Sequence, residues 1–252
     1  MISYNIISPP YNHMFGGVRA LHQLAKEIKH RGYQSNINAF DTGAITIYPE
    51  IIRDNPLNSD HRVRWLLNEA EFDGETCYAW ESGMGDHPLL TVNIIEMNVW
   101  KRAKKRGKKV AYWVGKGVAD PSLIPDGAIE INRINFPARN YLAKFISQLD
   151  YLISFDAFSA INVEATIAGT PVLMYIPDKQ IVPSIGQYVD QTWSREKLEQ
   201  QGWIKYGVAW SQEELDLARE TVHLQRGYYA ELTKIFDQRI DNFIEETQKI
   251  FS

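Results

Sequence analysis

Two carboxylates stand eight positions apart in the stretch Tyr151-Leu-Ile-Ser-Phe-Asp-Ala-Phe-Ser-Ala-Ile-Asn-Val-Glu-Ala-Thr-Ile-Ala-Gly-Thr-Pro-Val172. Asp156 ends an apolar segment with strand character. Ser159 suits the cap of a helix that follows it. Glu164 falls inside that helix, between Ile161, Val163 and Ile167. A carboxylate among such neighbours faces solvent or a ligand. Carboxylates accept paired hydrogen bonds from the vicinal hydroxyls of a ribose or sugar. Gly169-Thr-Pro171 closes the helix and opens a buried strand.

Two glycine-bearing turns offer anion chemistry. Gly16-Gly17 comes before a helix, where unpaired N–H groups and the helix dipole favour a phosphate; a tight strand-to-helix turn is the plainer reading. Val114-Gly-Lys-Gly117 follows a strand, and Lys116 reaches a phosphate as a point charge; a surface turn is the alternative. A dinucleotide fingerprint would need glycine at position 120 and a helix at once. Asp120 and Pro121 stand there, which argues against a nicotinamide or flavin role. His13, in the first loop, is a candidate base for a hydroxyl, or a loop residue bonded to backbone.

The elements that carry these groups alternate. Strands are expected over 4–8, 36–40, 45–52, 76–80, 89–95, 110–114, 129–131, 151–155, 171–176 and 204–208. Helices are expected from Val18 to Gly32, over 63–67, 138–149 and 159–168, and from Gln212 onward with a break at Gly227. Tyr228, Leu232, Ile235, Phe236, Ile240, Phe243 and Ile244 give the last helix an apolar face. Such alternation predicts α/β architecture with wound parallel sheets, and it restarts once. The boundary falls near Lys101-Arg-Ala-Lys-Lys-Arg-Gly-Lys-Lys109. That gives an N-terminal Rossmann-like domain over 1–105, a second over 106–226, and a terminal helix over 227–252. Hydrophobic residues at 44% and charged residues at 23% of 252 positions exclude a disordered or fibrous chain. Cys77 is the single cysteine, so the chain forms no internal disulfide. Absence of a signal-like start or a long apolar run leads to the expectation of a cytoplasmic protein. The net charge of −4 gives no general attraction to nucleic acid, and none is expected as a partner.

The chain resembles the GT-B fold glycosyltransferases, in particular the retaining family-4-like group. The resemblance rests on Asp156, seven intervening residues, Glu164-Ala165 and Gly169-Thr-Pro-Val172. Gly16-Gly17 through Arg31-Gly32 and Val114-Gly-Lys-Gly117 add to it more loosely. The segments 47–57 and 63–67 look like polysaccharide-assembly members. The resemblance implies two Rossmann-like domains facing across a cleft, with the terminal helix crossing back to the first. It implies transfer of a sugar from a nucleotide-diphosphate sugar to an acceptor hydroxyl, with retention. Carried over by position, Glu164 binds the donor ribose and Asp156 contacts the donor sugar. Amides near Ser159 and Ala160, with Lys116 and Gly117, hold the diphosphate, and Gly16-Gly17 closes on it. No metal or other cofactor is expected, since no Asp-x-Asp triplet occurs. The acceptor is expected to be a carbohydrate or a lipid-linked species.

Three departures stand out: Asp156 where glutamate is usual, Ala157 and Ser159 where glycines are usual, and a short chain. The basic run 101–109 reads either as a contact to anionic lipid on the inner membrane face or as a solvated helix end. Rival functions are a sugar-nucleotide epimerase, for which His13, His87 and Glu81 are the acid–base candidates, and a non-catalytic module that binds a sugar nucleotide.

Overall fold

Tyr4, Asn5 and Ile6 are all buried and form the first strand, β1 (Tyr4–Ile6), of a computed structural model of the chain. The structure describes residues 1–252 except 69–71, 73–74, 83, 105, 133, 177–178, 183–186 and 191–193; of 179–182 and 187–190 it describes the backbone alone. From β1 the chain passes into helix α1 (Gly16–His30), which buries Ala20, Leu21, Leu24, Ala25 and Ile28 at helical spacing. Gly32, at φ 85°, stops the helix in the left-handed conformation that glycine adopts without strain. Strands β2 (Ser35–Ile37), β3 (Ile45–Pro49), β4 (His61–Leu66) and β5 (Thr76–Ala79) complete a parallel sheet of order β2-β1-β3-β4-β5.

The second sheet contains β6 (Lys109–Trp113), β7 (Ile129–Glu130), β8 (Leu149–Ser154), β9 (Val172–Met174) and β12 (Val208–Ala209). Its order is β12-β9-β8-β6-β7, again all parallel. Helix α2 (Arg139–Ile146) joins β7 to β8, and α3 (Ala160–Ile167) joins β8 to β9. A hairpin of β10 (Lys179–Val182) and β11 (Gln187–Asp190), then α4 (Arg195–Gln201), lie between β9 and β12. Tyr151, Ile153, Phe155, Leu173, Ala209, Leu215 and Ala218 form a core on one face. Helix α5 (Leu215–Thr221) and a 3-10 turn lead into the long α6 (Gln225–Phe251).

The chain divides into two units, Met1–Ile94 with Thr233–Ser252, and Ile95–Leu232. Helix α6 thus belongs to the second unit at its start and to the first from Thr233. In the first, Tyr4 Oη meets Thr247 Oγ1 at 2.9 Å, and the Tyr78 and Phe243 rings meet edge to face at 4.8 Å. Among the described residues no helix is long and apolar enough to cross a membrane.

Several local expectations need correction. Residues 63–66 belong to a strand and not a helix: the stretch is too short for periodicity to decide, and β4 is interior to the sheet, with Val63, Arg64, Trp65 and Leu66 all buried. Residues 89–95 stay outside the ladder; a single bridge, Ala79 to Leu89, is their only sheet pairing. Helix α6 runs through Gly227, whose exposed site tolerates the roughly 1 kcal/mol that glycine costs there; the break falls instead at the 3-10 turn Val222–Leu224. Gly16 and Gly17 are the first two residues of α1 and do not precede it. The run 101–109 is not a helix end; it is an irregular segment entering β6, with Lys105 outside the described residues.

The central Arg64 shows what a buried cation requires. It is fully buried, its Nε lies 2.8 Å from Glu75 Oε2, it donates to the carbonyl of Ile52, and its guanidinium stands over Phe72 at 4.6 Å.

Candidate functional site at the carboxyl edge of the second sheet

In the second sheet β6 is flanked by β7 on one side and β8 on the other. Successive connections therefore leave β6 in opposite directions, and the switch point lies between β6 and β8. Crevices outside the carboxyl ends of such strands are where wound sheets hold ligands. Two loops occupy this one: Val114–Gly117 after β6, and Phe155–Ser159 after β8.

The loops are locked together. Asp156 Oδ2 accepts the backbone N–H of Lys116 at 3.0 Å. Gly115 lies at φ 56°, and a Cβ there would come within 2.1 Å of Asp156 Oδ2. A Cβ on Gly117 would come within 1.7 Å of the Phe155 carbonyl oxygen. Both glycines are thus required by the protein's own packing; the room they leave is filled by the end of β8. From below, Asn162 Nδ2 donates to the carbonyls of Asp156 at 2.9 Å and Ala157 at 3.0 Å, and the Ser154 hydroxyl donates to Asp156 O at 3.1 Å. Burial pushes the Asp156 carboxyl above its ordinary value; the Lys116 amide and charge, Trp113 and the Phe158 amide act the other way and offset it in part.

Helix α3 begins beside this lock. Ser159 holds the N-cap position, but its hydroxyl makes no cap bond, contrary to the expectation from sequence. Its backbone N–H donates to Asp156 O at 3.1 Å, and the Asn162 N–H returns to Ser159 O at 3.0 Å. The amides of Ala160 and Ile161 have no partner among the described residues. They form, with the helix dipole, a site for negative charge. The exposed Lys116 lies on the adjoining loop.

Glu164 does not face solvent. It is 4% exposed, and its Oε1 receives Arg139 Nη2 at 2.8 Å. Arg139 is the first residue of α2, and its guanidinium stands 5.5 Å from the centre of the buried Trp100 ring. Arg139 Nε and Trp100 Nε1 are buried donors with no hydrogen-bond partner among the described residues. Arg139, Trp100 and Asn162 are the residues that sequence reasoning missed. One signal was legible: a cation on the first turn of a helix opposes the helix dipole and calls for a nearby carboxylate.

The remaining candidates belong to the first unit. Its sheet reverses direction between β1 and β3. His13 is half-buried in the loop after β1, which is folded by Asn12 accepting the amides of Met14 at 2.9 Å and Phe15 at 3.2 Å. A Cβ on Gly16 would meet nothing within 4 Å, and one on Gly17 only Leu67 Cδ1 at 3.6 Å. Unlike the pair at 115 and 117, these glycines are not demanded by packing. Glu81 is buried behind β5, and the ring of the half-buried His87 packs on Gly85. Among the described residues no three His, Cys, Asp or Glu side chains gather as metal ligands.

The chain matches no protein-family model and no curated protein.

Proposed function

We propose that the chain is a nucleotide-sugar-dependent glycosyltransferase. It moves a sugar from a nucleoside-diphosphate sugar to an acceptor hydroxyl in polysaccharide or glycan assembly, with retention and without a metal. The carrying observation is the switch point of the second sheet, where the partnerless amides of Ala160 and Ile161 stand beside a locked loop bearing Lys116. A departing nucleoside diphosphate needs its growing negative charge stabilised, and preorganised amides and a lysine supply that. Gly16 and Gly17 support the same reading, since their open space at a helix start suits close approach of a phosphate or acceptor. In this proposal Asp156 acts by holding the Lys116 loop and Glu164 by holding Arg139, while His13 serves the acceptor hydroxyl as a base.

A thermal-shift screen of nucleoside diphosphates and their sugars tests it. Binding to the native state raises the melting temperature by mass action. Lys116→Ala should abolish the shift, and a labelled sugar should pass from donor to acceptor. If no nucleoside diphosphate stabilises the chain, the proposal fails.

A second reading, a non-catalytic sugar-nucleotide-binding module, gains from one observation: Asp156 and Glu164 are both engaged by protein groups. Tight donor binding with no transfer to any acceptor would favour it.

A further inference from the structure

We infer that the amino edge of the second sheet is a docking surface for an anionic lipid bilayer. The segment 101–109 crosses this edge before entering β6. It is fixed at two points. Gly107 N–H donates to the Gln148 carbonyl at 2.8 Å, which sets the segment beside the end of α2. The Arg102 side chain lies over Gly169, and Arg106 Nη2 donates to the Gly169 carbonyl at 3.1 Å, a cation at the carboxyl end of α3. So anchored, the segment presents Lys101, Arg102, Lys104, Lys108 and Lys109 to solvent, and the last turn of α2 adds the exposed Lys144. Asp150, whose charge acts on Arg106, is already paired with Arg219 at 2.8 Å.

The surface thus carries a dense positive charge in a chain whose net charge is −4, so the charge is local and has a direction. Cations spread over one edge match an anionic leaflet. The edge lies at the opposite end of the strands from Lys116 and Ala160, about 16 Å away along a five-residue strand. Docking therefore leaves the carboxyl edge uncovered, and the inference stands whether or not that edge takes a nucleotide.

Co-sedimentation of the full chain with phosphatidylcholine vesicles, with and without phosphatidylglycerol, in about 0.1 M salt tests it. Binding is expected only with phosphatidylglycerol, and it should fall steeply as salt rises. Each lysine at such a surface is worth about fivefold, so replacing Lys101, Lys104, Lys108 and Lys109 together by Gln should cost several hundred-fold. These side chains are exposed, so the variant should melt as the native chain does. Three outcomes would overturn the inference: no binding of the native chain to anionic vesicles, undiminished binding by the variant, or tighter binding of a short RNA at the same ionic strength.

Discussion

Separating Arg139 from Glu164 should destabilise the second unit far more than a surface ion pair would. The two side chains are 12% and 5% exposed and 2.8 Å apart. Removing one partner of a buried pair leaves an uncompensated charge and costs about 3–5 kcal/mol. Arg139→Met and Glu164→Leu should each show a loss of that order, seen as a fall in melting temperature on the order of 10 °C. The double variant should return to within about 1 kcal/mol of the native chain, because apolar groups of similar volume often replace a buried pair without loss. Chemical denaturation followed by circular dichroism gives all three values, and the cycle isolates the coupling. Additive single losses would refute the reasoning. So would a Glu164→Gln variant that melts like the native chain yet loses nucleoside-diphosphate affinity, because that result would put the carboxylate on a ligand.

Asp156→Asn tests the loop lock through pH. Burial raises the folded-state carboxyl above its ordinary 3.8, so its contribution to stability is fully present below that value and is lost as pH rises through the raised one. The native chain should therefore lose stability relative to the variant as pH rises above about 4, measured as the difference in denaturation midpoints; a constant difference would sink the assignment. Gly117→Ala should destabilise by more than about 2 kcal/mol, since the clash is with backbone, and an unfolding midpoint equal to the native one would contradict it. Gly16→Ala should instead stabilise by about 0.4–1 kcal/mol while weakening donor or acceptor binding, read by calorimetry on the same samples.

The parallel sheets were legible because apolar runs and helical spacing alternate cleanly through α1, β6, α2, β8, α3 and β9. Short segments were not. β4 contains Arg64 at a buried position, and tertiary partners such as Glu75, Phe72 and the Ile52 carbonyl make that tolerable. At the switch point, the sequence pointed to the two loops that meet there, but not to what fixes them. The turn stood out for Lys116, but its glycines Gly115 and Gly117 are required by the approach of Asp156 and Phe155. The pairing of Glu164 with Arg139 was not legible, because that partner lies on another helix, 25 positions earlier, beyond the reach of any local pattern.

Helix α6 also bears on the order in which the molecule can be built. Tyr4 and Thr247 are 243 positions apart, and the amide of Ile2 bonds to Gln248 at 2.9 Å. On a ribosome adding about 5–20 residues per second, β1 waits tens of seconds for the side chains that finish its surroundings. Residue 232 precedes Thr247 by only 15 positions, so residues 95–232 are complete about 1–3 s before then. During translation the later-made half should thus be the earlier to fold, and the nascent opening strand must be kept from pairing elsewhere until its distant counterpart arrives.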